Sequence, residues 1–141
     1  MKKRLFLIGI ISLAILVIDL VTKWIIHSNN IHFKLLPFFE IVNITNTGAA
    51  FGIMKNSTTP LIFISIMVIG LFLYYLDKIP QKFNIAMALI IGGALGNLID
   101  RIFFGFVRDF IKISIWPVFN IADAAVTIGI IMWIIISIKK K

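Results

Sequence analysis

Four apolar segments, each about as long as a bilayer-spanning helix, constrain the fold of this 141-residue chain more than any other feature. The hydrocarbon core of a membrane is about 30 Å thick, and roughly 20 helical residues cross it. Hydrophobic residues make up 60% of the chain and charged residues 14%, whereas a soluble domain is roughly half apolar and a quarter charged. We therefore predict an all-α integral membrane protein with four transmembrane helices, at residues 5–26, 60–76, 85–104 and 120–138.

The first segment has a second interpretation. The basic residues 2–4 followed by an apolar run are also typical of a secretory signal peptide. The apolar stretch continues past Asp19 and Lys23, and no A-x-A-like cleavage site follows it, which favours a retained helix. A chain of this length is too short for two independent cores. We expect one membrane-embedded domain over residues 1–141.

The basic residues cluster beside the apolar segments, at both termini and around Lys78 and Lys82. Lys and Arg are enriched in loops that stay in the cytoplasm, so both termini and the connection between the second and third segments are predicted to be cytoplasmic. The net charge of +8 is not arranged as the contiguous basic face of a nucleic-acid binder. A nucleic-acid partner is therefore not expected.

The two outer connections differ in their predicted structure. The first is about thirty residues long, a length at which a connection usually has structure of its own. Its residues 38–46 are rich in β-branched and aromatic side chains, which suggests strands at the membrane surface. Asn46-Thr47-Gly48 indicates a turn, and the apolar residues 49–54 are placed along the interface. The second connection, residues 105–119, is predicted to be a loop that carries Asp109.

Charged side chains inside hydrocarbon are costly unless they are paired or hydrated. Asp19 and Asp100 lie about 21–22 Å from the inner ends of two outward-running helices, at about 1.5 Å per residue. Asp123 lies in the first turn of the fourth helix, which runs inward, and Asp109 precedes it in the outer connection. Three helices and a loop are thus predicted to bring four carboxylates to one level at the outer side of the membrane.

The charged residues of the first and third segments also have structural interpretations. Asp19 and Lys23 are spaced i, i+4 on one helix face and can simply neutralise each other. Asp100 and Arg101 can form ion pairs with a neighbouring helix, and we weigh that role above direct chemistry. Gly70 is predicted to be a packing notch in the second segment.

The start of the fourth helix and the glycine-rich third segment likewise have two interpretations. Asn120 followed three residues later by Asp123 is typical of a helix N-cap with an acid in the first turn. Asn97 lies one turn before Asp100, and the glycines within residues 92–96 allow a helix or a substrate to approach closely. Plain helix packing explains the same glycines.

Other catalytic chemistries lack their residues. The chain has no cysteine, which excludes thiolate catalysis and disulfides. His27 and His32 do not form an H-E-x-x-H motif, so a zinc peptidase is unsupported. Ser57 and Ser65 lack a G-x-S-x-G context.

Five short blocks of the sequence are Asp19–Lys23, Asn46–Gly52, Gly92–Arg101, Val107–Ile111 and Phe119–Asp123. In this order, and from the first apolar segment to the fourth, they resemble the lipoprotein signal peptidase family, also called signal peptidase II or prolipoprotein signal peptidase. One departure is visible: the family often has Arg just before the Asn of the N-x-G-A-A block, and here Thr45 stands there.

The resemblance implies an aspartic endopeptidase with Asp109 and Asp123 as its catalytic dyad and with no metal or cofactor. It implies a bacterial cytoplasmic membrane, a site near the extracytoplasmic face, and lipid-modified prolipoproteins cut just before the diacylglyceryl-cysteine as substrates. A monomer surrounded by membrane lipid is expected. By the same resemblance, the residues that line or support the site are Asp19, Lys23, Asn46, Gly48, Asn97, Asp100, Arg101 and Asn120.

The chemistry expected of such a dyad follows from electrostatics. Two adjacent carboxylates cannot both ionise cheaply, so they share a proton. The ionised member then activates a water, and the protonated member donates to the developing oxyanion. The alternatives are a small proton-coupled transporter and a structural membrane subunit. Transport sites favour the bilayer midplane and repeated halves, and the sequence shows neither.

Overall fold

The structure, a computed structural model, describes residues 2–48 and 57–139. The helices are α1 (Lys2–Ser28), α2 (Thr58–Tyr74), α3 (Asn84–Phe104) and α4 (Ile121–Ile138). The strands are β1 (Phe33–Leu36), β2 (Phe39–Asn46) and β3 (Val107–Ile113). Two short 3-10 turns, Leu76–Lys78 and Gln81–Phe83, join α2 to α3.

The apolar segments form helices, as predicted. Within the described ranges, three helical stretches are long and apolar enough to cross a membrane: α1, α4, and Gln81–Phe104, which includes α3. The fourth segment, α2, is apolar but has 17 residues, a length of about 26 Å. The prediction of a mostly helical membrane protein with a small sheet is confirmed.

Helix α3 lies at the centre of the bundle and contacts the other three helices. Ala86, Met87 and Ala88 near its start are fully buried. At Gly92, an added Cβ would lie 2.7 Å from the backbone oxygen of Ser12, so α1 crosses α3 where the side chain is absent. Gly70 on α2 behaves differently, because no described atom lies within 4 Å of its Cβ position. The prediction of a packing notch there is wrong for the described residues, since α2 packs loosely on its neighbours.

A three-stranded antiparallel sheet in the order β1-β2-β3 lies beyond one end of the bundle. Strand β2 lies within the segment predicted to form strands, and that prediction is confirmed. The prediction of a loop at residues 105–119 is wrong, because residues 107–113 form β3 and pair with β2. Arg108 and Asp109, near the start of this strand, interrupt the apolar pattern by which a buried strand is recognised in a sequence. The predicted interfacial stretch at residues 49–54 lies outside the described residues.

Gly105 turns the chain from α3 into β3. Its φ of 78° is left-handed, a conformation that glycine adopts without the steric cost of a Cβ. Its N–H donates to the backbone oxygen of Arg101 and closes the helix. The strand that carries Asp109 therefore begins directly at the end of the helix that carries Asp100.

Arg4 joins the start of α1 to the connection between α2 and α3. Its guanidinium donates to the backbone oxygens of Leu76 (2.6 Å) and Ile79 (2.8 Å) and to Asn84 Oδ1 (2.8 Å). Three charge-assisted hydrogen bonds at one site hold these ends together. The N-terminus and the α2–α3 connection therefore lie at the same end of the bundle.

We expect Arg4→Ala to destabilise the protein by about 2 kcal/mol, since hydrogen bonds to charged groups contribute about 1.5–3 kcal/mol. Thermal unfolding of the detergent-solubilised protein would measure the loss. Lys3→Ala is the matched control, because Lys3 is an exposed neighbour and its removal changes the net charge equally. Equal melting temperatures for the two variants would contradict a clamping role for Arg4.

Candidate active site

Asn120 connects the two aspartates of the predicted dyad. Asp109 lies on β3 and is 3% exposed, and Asp123 lies in the first turn of α4. The Asn120 side-chain amide donates to Asp109 Oδ1 at 2.6 Å. The Asn120 backbone N–H donates to Asp123 Oδ2 at 3.3 Å. Both carboxyl groups thus contact one residue, and the structure brings them together at the start of α4.

The same Asn120 caps α4. Its side-chain oxygen accepts from the backbone N–H of Asp123 at 2.8 Å, and the Asp123 carboxyl group accepts from the backbone N–H of Asn120. This reciprocal arrangement is a capping box, which satisfies N–H groups that have no partner within the helix. The predicted capping role of Asn120 and Asp123 is confirmed, and it also aims the Asp123 carboxyl group.

Each oxygen of the two carboxyl groups accepts one amide N–H. Asn46 on β2 donates to Asp109 Oδ2 at 3.0 Å, and Asn97 on α3 donates to Asp123 Oδ1 at 2.7 Å. Asn120 donates the hydrogen bonds to the other two carboxyl oxygens. Neutral donors fix the orientation of both carboxyl groups and leave further lone pairs on each oxygen for a proton or a water.

Burial and the neighbouring charge of Asp123 raise the pKa of Asp109 to about 7. Hydrogen bonds from Asn46 and Asn120, and the charge of Lys23, act in the opposite direction. Removing a carboxylate from water disfavours its charged form, and a second carboxylate nearby does the same. Burial and the neighbouring carboxylate therefore favour the protonated form of Asp109 up to a pH well above the usual range of an aspartate.

Lys23 is a fully buried cation behind this pair of carboxyl groups. Its ammonium lies 2.7 Å from Asp19 and 3.3 Å from Asp100, and all three side chains are fully buried. It also donates to Asn97 Oδ1 at 3.0 Å. The predicted pairing of Asp19 with Lys23 is present, and Asp19 in addition accepts the backbone N–H of Ala122 on α4 at 2.8 Å.

Lys23 determines how Asn97 presents its amide. An ammonium only donates hydrogen bonds, so the Asn97 group that faces it must be the oxygen. The same oxygen accepts from Asn120 Nδ2 at 3.1 Å. The Asn97 amide nitrogen is thereby directed toward Asp123. A line of polar contacts thus leads from the buried ammonium on α1 to the carboxyl group on α4.

Asp100 and Arg101 have different surroundings. Asp100 pairs with Lys23 of α1 and with Arg108 of β3, in agreement with the prediction that it forms an ion pair with a neighbouring helix. Arg101 is partly buried, donates to the backbone oxygen of Gly48 at 3.2 Å, and lines a cavity that Asp123 also lines. The structural interpretation therefore fits Asp100, whereas Arg101 faces the space beside the dyad.

That cavity has a volume of about 840 Å³ and lies between α2, α3, α4 and residues 116–119. Most of its lining is apolar. The polar residues Asn46, Asn97, Arg101 and Asp123 gather on one part of its wall. Asp109 itself lies behind this wall, bonded to Asn46. An apolar cavity with a few convergent polar groups is the usual form of a ligand site.

The histidines lie in a separate network. His27 contacts Asn43 at 2.9 Å, and His32 contacts Asn30 at 3.2 Å. Within residues 2–48 and 57–139, no group of three or more His, Cys, Asp or Glu side chains is placed to hold a metal ion.

Residues 11–139 match the family model described as signal peptidase (SPase) II.

The chain belongs to the signal peptidase II family.

Named relatives agree with this assignment to the signal peptidase II family, and a solved structure of a bacterial membrane enzyme has the same fold. The chain is 39% identical over 130 residues to the lipoprotein signal peptidase of Moorella thermoacetica, with 87% of each protein covered. It is 40% identical over 148 residues to that of Thermodesulfovibrio yellowstonii, covering 99% of this chain and all of the relative. A bacterial membrane enzyme solved by the in meso method at 2.3 Å resolution superposes with a TM-score of 0.88 at 36% identity, covering 95% of this chain and 91% of that one. The chain is accordingly a peptidase and a multi-pass bacterial membrane protein.

Arg108 is the residue of this signal peptidase II site that sequence reasoning missed. It is 7% exposed and pairs with Asp100, yet in the sequence it is one basic residue in an outer connection. A signal existed, because an Arg inside an apolar V-R-D-F-I run needs a partner. Thr45, which stands where the family often has Arg, is the ladder partner of Arg108. An arginine is therefore present at this level of the sheet, on the neighbouring strand.

We expect Gly96→Ala to destabilise this member of the signal peptidase II family by about 1–3 kcal/mol, the usual cost of overpacking. An added Cβ would lie 2.5 Å from Asp19 Oδ2 and 3.2 Å from the Cβ of Ala122. Asp19 cannot easily yield, because Lys23 and the start of α4 hold it. Thermal unfolding would measure the effect. Gly70→Ala is the control, with no described atom near its Cβ, and equal effects of both changes would contradict this interpretation.

Proposed function

We propose that this chain removes the signal peptide from lipid-modified bacterial prolipoproteins by cutting just before the diacylglyceryl-cysteine, with Asp109 and Asp123 as the catalytic dyad. The observation that carries the proposal is that Asn120 contacts both carboxyl groups beside an apolar cavity. Membership of the signal peptidase II family supports the reaction class. The peptidase domain comprises residues 1–141.

In the proposed mechanism the two carboxyl groups share one proton. The ionised member takes a proton from a water, which attacks the scissile carbonyl, while the protonated member donates to the developing oxyanion. The roles then reverse to protonate the leaving amine. The raised pKa of Asp109 supports a proton held within the pair at neutral pH, and the two apparent pKa values belong to the pair as a unit.

The proposed orientation places both termini in the cytoplasm and the site near the extracytoplasmic face. Arg4 contacts the α2–α3 connection, so two of the basic clusters lie at the same end of the bundle. The carboxyl groups lie at the other end, where α3 terminates and α4 begins. Basic residues favour the cytoplasmic side, which supports this orientation. The protein acts as a monomer with its apolar helix faces in contact with lipid.

The alternatives are less well supported. A proton-coupled transporter would place its ionisable residues near the midplane, between repeated halves. Here the described carboxyl groups of the cluster gather around the end of α3 and the start of α4. A purely structural subunit would not need a cavity beside two carboxyl groups whose orientation is fixed by four hydrogen bonds from amide N–H groups.

The test is a cleavage assay with the purified protein and a synthetic precursor peptide that carries a diacylglyceryl-cysteine. Mass spectrometry would identify the products. We expect a single cut before the modified cysteine and no cut in the same peptide without the lipid. Cleavage elsewhere, or no cleavage in both detergent and liposomes, would contradict the proposal.

We expect activity to fall as the pH rises through about 7, to which the pKa of Asp109 is raised, because the carboxyl pair then loses its shared proton. The charged groups that act on it come from three elements: Asp123 on α4, Lys23 on α1 and Arg101 on α3. Initial rates across the pH range would locate this basic limb. Asn46→Ala should move the limb to higher pH, because the hydrogen bond from Asn46 lowers the pKa of Asp109. An unmoved or lowered limb would contradict this assignment.

A further inference from the structure

Arg108 lies directly before Asp109 on β3, and it is 7% exposed. Successive side chains of a strand point to opposite faces. Asp109 faces Asn46 and Asn120, which belong to the site. Arg108 faces the end of α3, on the side away from the dyad. A buried cation in this position requires an explanation, because it costs free energy unless it is paired.

The Asp100 carboxylate receives three bonds from Arg108. The guanidinium donates to Asp100 Oδ1 at 2.6 Å and to Oδ2 at 3.3 Å, and the Arg108 backbone N–H donates to Oδ2 at 3.0 Å. The guanidinium also lies 4.5 Å from the ring centroid of Phe104. Such two-pronged pairing fixes direction as well as distance. The position of β3 relative to α3 is therefore set at this residue.

We propose that Arg108 is a positioning residue for the reaction: by fastening β3 to Asp100, it holds the carboxyl group of Asp109 beside Asp123. This inference rests on the proposed function of the dyad. Asp100 is itself held by Lys23 of α1 at 3.3 Å. The Asp100 carboxylate of α3 thus links the strand that carries Asp109 to both α1 and α3.

The geometry of β3 explains why such a fastening is needed. β3 is the last strand of the sheet and pairs with β2 along one edge only. On its other edge, Phe110 and Ile111 bond to the backbone of Phe119. The backbone N–H of Arg108 donates instead to the Asp100 carboxylate. The backbone N–H and the guanidinium of Arg108 thus attach this edge of the strand to α3, whereas Asn120 attaches Asp109 to the start of α4.

The proposed role of Arg108 requires no contact with substrate. It is absent from the lining of the 840 Å³ cavity, and its charge is matched by Asp100. We therefore expect its loss to reduce kcat and to leave KM nearly unchanged, as for an interaction that matters only in the transition state.

The experiment compares the wild-type protein with Arg108→Met and Arg108→Lys in the lipidated-peptide assay. Arg108→Met should lower kcat about 100-fold, the cost of a misplacement of about 1 Å, with KM within about threefold. Arg108→Lys keeps the buried charge but not the two-pronged geometry, so it folds and retains about a tenth of wild-type kcat. Lys112→Met is the matched control, because Lys112 is a half-exposed cation on the same strand that pairs with Glu40. It should retain wild-type kcat.

The pH profile separates positioning from folding. A displaced, better hydrated Asp109 has a lower pKa, so the basic limb should move to lower pH in Arg108→Met. If Arg108 only stabilised the fold, Arg108→Met would lower the rate at every pH in proportion to the folded fraction, and the basic limb would not move. If Arg108 acted only through its charge, the loss of that charge would raise the pKa of Asp109 and move the basic limb to higher pH. Either result would overturn the proposal, as would wild-type kcat in Arg108→Lys. Activity in the wild type with no loss in Arg108→Met refutes this inference alone, whereas an inactive wild type refutes the proposed function and this inference with it.

Discussion

Asp109→Asn and Asp123→Asn each lower the rate of precursor cleavage by about 10²–10⁴-fold, the contribution expected of a positioned acid or base. An amide can neither accept a proton from water nor hold the shared proton. Both substitutions preserve the size of the side chain, and they remove a buried charge rather than create one. We therefore expect both variants to accumulate in membranes at wild-type levels. The measurement is the cleavage rate per amount of folded protein.

The remaining acidic residues provide controls. The chain has six Asp and Glu residues, and Asp77 is exposed in the α2–α3 connection. Asp77→Asn changes the charge equally at the opposite end of the bundle and should retain full activity. Near-normal cleavage by either dyad variant would remove that aspartate from the mechanism. A loss of activity in Asp77→Asn would show that the assay responds to charge rather than to the site.

Lys23→Met destabilises the protein by about 3–5 kcal/mol, the cost of breaking a buried ion pair by removing one partner. The change leaves two fully buried carboxylates, Asp19 and Asp100, without their shared cation. Asn97 also loses the donor that fixes its amide, so activity per folded molecule falls as well. Thermal unfolding in detergent, together with the yield of folded protein, measures the first effect.

Lys34→Met is the matched control for Lys23→Met. The Lys34 side chain is 60% exposed and lies 3.9 Å from Glu40, and an exposed pair of this kind contributes about 0–1 kcal/mol. Its melting temperature should stay close to that of the wild type. If Lys23→Met were as stable as Lys34→Met, the buried cation would not organise the carboxyl groups around it.

Capping and the proposed catalysis share the same residues at the start of α4. Asn120 satisfies helix N–H groups and at the same time contacts both carboxyl groups. For Asn120 and Asp123, the structural and functional interpretations of the sequence are therefore compatible. The reason is geometric, because a capping box directs a carboxyl group at a fixed angle to the end of a helix.

Much of the fold follows from local sequence. The helices are recognisable because apolar runs of this length have one stable arrangement in lipid, with every backbone group bonded within the helix. The strand at residues 39–46 follows from its β-branched and aromatic residues. Strand β3 was missed, because Arg108 and Asp109 are buried only through partners on other elements.

The sequence by itself determined the membrane class, the helical segments, the family resemblance and the level at which the carboxylates gather. These depend on hydropathy and on the rise per residue of a helix, both of which are local. Only the tertiary structure decided which partners each charge has: that Lys23 serves two carboxylates, that Asn120 contacts both Asp109 and Asp123, and that Arg108 fastens β3 to α3. Pairing of this kind depends on angstrom-scale distances between residues that are far apart in the chain, and spacing along the sequence does not specify those distances.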